Sequence, residues 1–196
     1  GPDDCTASTV SVCIRGTCTS RPRPGEGQCK NTWQPAQIFR RAGHAVAYDE
    51  ARHRLVMFGG SASSGLQNDT WEYDGTHWEN RTPAASPIRR AFHAMAYDST
   101  RQRVMLFGGF TDTANPQTEL DDLWEWDGTT WIQRANAVTP PARSFHSLVY
   151  DRQRRELLLF GGLANESDMW AFDGFSWSAK LLTGAPGTGS AVYDQH

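Results

Sequence analysis

The strongest constraint on the fold of this chain is a set of motifs that occurs three times in the same order. Val56-Met57-Phe58-Gly59-Gly60, Met105-Leu106-Phe107-Gly108-Gly109 and Leu158-Leu159-Phe160-Gly161-Gly162 are one apolar run closed by a double glycine. Upstream of each stands a His followed five positions later by an Asp: His44 and Asp49, His93 and Asp98, His146 and Asp151, with Tyr48, Tyr97 or Tyr150 just before the Asp. Downstream of each lies Trp71-Glu72-Tyr73-Asp74-Gly75, Trp124-Glu125-Trp126-Asp127-Gly128 or Trp170-Ala171-Phe172-Asp173-Gly174, then a second Trp at Trp78, Trp131 or Trp177. Three motifs of different chemistry recurring together every ~50 residues define a repeat architecture of stacked units.

Each unit predicts four short strands. The first follows the His, and its closing Asp opens a turn. The second is the apolar run, which lacks polar alternation and so predicts a strand covered on both faces. The Gly-Gly pair is expected to end it. The third is Trp-x-aromatic, and the fourth starts at the second Trp. Asp-Gly between them is a hairpin signal.

This combination resembles the kelch repeats common in bacterial secreted proteins, over roughly residues 33–194. The resemblance implies an all-β, kelch-type β-propeller of three complete four-stranded blades, at about 44–78, 93–131 and 146–177. Partial strands are expected at both ends. Trp33 matches a second Trp, giving one at 33–43, and Ala191-Val192-Tyr193-Asp194 repeats a first-strand ending within 189–196, with Gly189 in place of the His. Propellers have four to eight blades. Three therefore imply part of a larger propeller, or a ring closed by copies of the chain, whose open blade faces would invite association.

Residues 1–32 read as a separate segment. All four cysteines, Cys5, Cys13, Cys18 and Cys29, fall there, in a stretch rich in Thr, Ser, Pro and Gly. Their gaps of seven, four and ten residues lack the close pairs of a zinc site. Two disulfides of open pairing are expected, which places the protein in the periplasm, at the cell surface or outside the cell. A formal net charge of −3 gives no electrostatic case for nucleic acid. No apolar run is long enough to span a bilayer.

Arg41, Arg90 and Arg143 each stand three residues before the repeat histidine. Equivalent positions in a propeller point the same way, so the three form a candidate ligand-binding arc at one channel mouth, suited to carboxylates or sulfates. The other reading, which repetition in every unit favours because a ligand site usually breaks symmetry, is that each arginine satisfies carbonyls or an Asp in its own or the neighbouring blade. His44, His93 and His146 are expected to pack between blades rather than share a metal. The repeated Trp pairs are expected in the inter-blade core rather than as sugar platforms. The unequal polar loops at 61–69, 110–122 and 163–168 are where a propeller carries specificity. The longest, at 111–122, is acidic and reads as solvated rather than as a Ca²⁺ loop.

No catalytic residues, metal or cofactor are expected. The reading is a non-enzymatic extracellular binding or structural module presenting propeller loops to a protein or polysaccharide partner. Two alternatives stay open: a self-associating subunit of a surface assembly, and an enzyme resembling the kelch sialic-acid mutarotases.

Overall fold

The structure, a computed structural model, describes residues 9–14, 17–22, 40–112, 118–163 and 168–180. The chain divides into two units, Gly1–Gln37 and Ile38–His196. The first contains an antiparallel hairpin of β1 (Thr9–Ile14) and β2 (Thr17–Pro22), whose register sets Cys13 opposite Cys18. Cys5, Cys29, the expected strand piece at Trp33 and the one at 189–196 lie outside the described residues.

The second unit is all-β, with no helix among the described residues. Its first sheet runs β4 (Ala45–Asp49), β5 (Arg54–Ala62), β6 (Gly65–Tyr73), β7 (Trp78–Asn80), with β3 (Arg41–Ala42) paired to the far end of β5. The second runs β8 (Ala94–Asp98), β9 (Arg103–Phe107), β12 (Leu123–Trp126), β13 (Trp131–Arg134). A short ladder of β10 (Phe110–Thr111) and β11 (Thr118–Glu119) lies between β9 and β12 in the chain. The third runs β14 (Ser147–Asp151), β15 (Glu156–Phe160), β16 (Met169–Phe172), β17 (Trp177–Lys180). Successive antiparallel sheets of this kind are compatible with the blades of a propeller.

The double glycine ends β9 and β15 but not β5. In the first sheet the strand continues through Gly59-Gly60 to Ala62, with a register shift between Phe58 and Gly60. A bulge there absorbs the irregularity, and the continued edge is what β3 pairs with.

The unbroken apolar runs follow from burial on two sides. In β9, Val104 and Leu106 join a cluster with Ala47, Val56 and Phe58 of the first sheet. Met105 and Phe107, pointing the other way, join Leu148, Leu157, Leu159 and Phe172 of the third. Period-two alternation thus places successive residues of one strand in two different cores.

Side chains fix the turns. Asp49, Asp98 and Asp151 each close a first strand, accept backbone N–H groups two or three residues on, and pair with Arg52, Arg101 and Arg154. Asp74, Asp127 and Asp173 cap the next hairpins in the same way. The Tyr73–Trp78 pairing leaves four residues in that loop, longer than a minimal Asp-Gly turn.

Candidate functional site

The strand-start ends of the sheets carry the candidate residues, and the arginines there are occupied. Arg90 is fully buried; its fork donates to both carboxylate oxygens of Asp122 at 2.6 and 2.7 Å, and its Nη1 also donates to Gly108 O at 3.0 Å. Arg143 holds Asp168 at 2.6 and 2.7 Å and Gly161 O at 3.0 Å, again with no exposure. Arg41 does the same to Asp69 and Gly59 O. The aspartates also accept from Trp71, Trp124 and Trp170 Nε1. For Asp168, burial raises the carboxyl pKa, but the Arg143 and Trp170 hydrogen bonds outweigh it and leave the group below the usual range. The three forks of the candidate arc therefore close on carboxylates and carbonyls of their own sheet, the structural role that their repetition in every unit favours.

These clamps also join neighbouring sheets. The carbonyl of Arg90 accepts from Gly60 N of the first sheet at 2.8 Å, and that of Arg143 accepts from Gly109 N of the second at 2.9 Å. One arginine thus fixes its own double glycine by its side chain and the preceding one by its backbone.

The histidines pack into these junctions. His93 meets the edge of Phe58, and His146 that of Phe107, both at 5.6 Å between centroids. Trp131 and Trp177 meet the same two phenylalanines at 5.3 Å. Both tryptophans are buried, as expected of inter-sheet core, whereas Trp71, Trp78, Trp124 and Trp170 are half-buried. His146 Nε2 lies 3.1 Å from Phe107 O; a carbonyl only accepts, so Nε2 carries the proton. Among the described residues no group of three His, Cys, Asp or Glu is placed to hold a metal.

Burial, then the nearby Arg143 charge, lowers the His146 pKa to about 4. Burial acts in the same direction on His93, holding it well below its ordinary value. A group with a depressed folded pKa takes up a proton on unfolding, between its folded value and about 6.5. Stability is therefore full above about pH 6.5 and falls as the pH drops toward 4, by about 3 kcal/mol for His146. Denaturant titrations across that window will show it; a midpoint that does not move would exclude the buried neutral imidazole.

The sequence reading missed the phenylalanines between the arginine and the histidine. Phe92 and Phe145 adopt φ of 56° and 58°, where the first repeat has Gly43 at 67°. A bulky residue there costs of order 1–3 kcal/mol. The Phe92 and Phe145 rings stack at 4.0 Å and 22°, and Phe92 stacks on Phe110 at 5.5 Å and 19°. The backbone below them is threaded in series: Phe92 N donates to Gly43 O at 2.7 Å and Phe145 N to Phe92 O at 2.9 Å. Phe145 stays 45% exposed. The available signal was a Phe standing twice where the first repeat has Gly.

Polar groups lie beside Phe110 in its ladder and two residues along the chain. Glu119 pairs in register with Phe110 and accepts from Ser144 Oγ at 2.6 Å, and Arg89 pairs with Asp112 at 2.7 Å on the exposed surface. No family model matches this chain, and no curated protein matches it.

Proposed function

We propose that the chain is a segment of a kelch-type β-propeller acting outside the cytoplasm as a non-enzymatic binding module, its strand-start loops turned to a protein or polysaccharide partner. The observation that carries this reading is the division of labour at those loops. The arginines and histidines that chemistry would need are consumed in sheet junctions, whereas Phe145, at the end of the aromatic pile and at a strained φ, is exposed. The four cysteines support an oxidising compartment. The mutarotase alternative gives the discriminating test. Anomer exchange of N-acetylneuraminic acid, followed by NMR, is expected to run at its uncatalysed rate with the protein present; acceleration that scales with protein concentration would overturn the non-enzymatic reading.

A second reading, self-association, is favoured by the two end faces of the unit. Tyr48 on the first sheet is 51% exposed, whereas its equivalent Tyr150 is 6% exposed against the second sheet. On the third sheet Leu158 and Phe160 are partly open where Met105 and Phe107 are covered. The faces match in polarity as well. Trp126 donates to Glu72 at the first junction. Ala171 stands in that acceptor's place on the third sheet, and Tyr73 stands in Trp126's place on the first, its hydroxyl already bound to Gly75 O. A second copy seated head to tail buries both faces without an orphaned donor at that pair, and two copies give six sheets, within the propeller range. Light scattering is expected to give twice the chain mass, falling to the chain mass in Phe160→Glu. A wild-type protein that is monomeric at all concentrations would sink this reading.

A further inference from the structure

We infer that the aromatic pile of Phe92, Phe110 and Phe145 is a subsite for neutral pyranose rings of a polysaccharide, with Glu119, Asp112 and Arg89 addressing the sugar hydroxyls. This rests on the binding-module reading and names its ligand class. A pyranose presents an apolar face of C–H groups and an equatorial belt of hydroxyls. An aromatic face matches the first; carboxylates and a guanidinium around it match the second. The site has both. Phe145 is exposed at the end of the pile, while its neighbour Phe92 is held from behind, its ring about 3.0 Å from where a Gly43 Cβ would stand. The pile is thus backed by the chain at Phe92 and open toward solvent at Phe145.

The border also argues for a neutral ligand. Glu119 is positioned across the strand pair from Phe110, and its carboxylate is fixed by Ser144, the residue before Phe145. The Arg89 guanidinium is shared with Asp112 rather than left to attract an anion. Carboxylates beside the platform accept hydroxyl protons and repel uronate or sialate groups. An apolar peptide side chain would use the rings equally well but would leave these polar groups desolvated.

The fold itself provides a clean variant. Glycine holds the equivalent backbone position in the first repeat at the same sign of φ, so Phe145→Gly removes the ring without asking the chain for a new conformation. The intact protein is tested against laminarin, mannan and cello-oligosaccharides, with polygalacturonate as the acidic counterpart, by affinity electrophoresis and saturation-transfer NMR. At least one neutral glycan is expected to bind. Phe145→Gly is expected to weaken it about tenfold, the upper end of what one stacked ring supplies, while unfolding within a few degrees of wild type. Absence of binding to every neutral glycan, preference for polygalacturonate, or unchanged binding by Phe145→Gly would each overturn the proposal. The anomer-exchange test fails independently. Catalysis with glycan binding intact would remove the non-enzymatic reading alone, whereas silence in both assays would remove the sugar proposal alone.

Discussion

Arg90→Met is expected to cost about 3–5 kcal/mol in folding free energy, the loss typical of breaking a buried ion pair from one side. The guanidinium is fully buried and makes four hydrogen bonds: two to Asp122, one to Gly108 O, and one from Nε to Ile88 O. Methionine fills most of the volume but leaves the Asp122 carboxylate, among the described residues, with Trp124 Nε1 as its remaining side-chain partner. Adding Asp122→Ala to Arg90→Met should recover part of the loss, because the uncompensated charge then disappears. Urea denaturation of the two single variants and the double variant measures the coupling. Arg90→Lys should also fail, since one ammonium cannot replace a fork that holds two carboxylate oxygens and a carbonyl together. A loss below about 1 kcal/mol for Arg90→Met, the scale of an exposed pair, would refute the clamp.

Gly108→Ala should be comparably damaging, by about 3 kcal/mol or more. Its φ is 64°, and an added Cβ would stand 2.7 Å from Arg143 O and 2.9 Å from the His146 ring. Both belong to the junction with the third sheet, and the carbonyl is backbone that cannot swing aside. Gly75→Ala is the control. It has a φ of 97° with nothing within 4 Å of the added carbon, so it carries only the conformational penalty of about 1–2 kcal/mol. Equal losses for the two variants would show that the close approach at Gly108 does not matter.

The repeat made most of the fold legible. Tyr-Asp, Phe-Gly-Gly and Trp-x-aromatic fixed four strands per unit because each motif has a local physical cause: an Asp-capped turn, a two-sided strand, an aromatic edge. The burial of Trp131 and Trp177 was legible for the same reason, since a side chain repeated in every unit meets the same neighbour in every junction. That each arginine would meet carbonyls or an Asp was legible from its repetition, but which Asp was not. Asp69, Asp122 and Asp168 all stand two residues before a Trp, yet an ion pair spanning 25 to 32 residues leaves no periodic trace. Continuation of β5 through Gly59-Gly60 escaped because a bulge is set by the edge that pairs with it. The aromatic pile escaped for the opposite reason: Phe92 and Phe145 violate local preference, and such violations gather where a site is built.

Among the described residues the buried junctions join adjacent sheets, with the exposed Arg152–Glu50 pair between the turns of the first and third as an additional link, and that has a kinetic consequence. Each sheet is a contiguous stretch of chain whose four main strands pair in sequence order, with β3 added beside β5 in the first, so its closure entropy is small. Folding can then nucleate in any sheet and spread to its neighbour, as in a one-dimensional lattice. The middle sheet, with a partner on both sides, becomes the most slowly exchanging part of the molecule. Amide hydrogens of β9 should outlast those of its equivalents β5 and β15, and opening should proceed from the outer sheets inward.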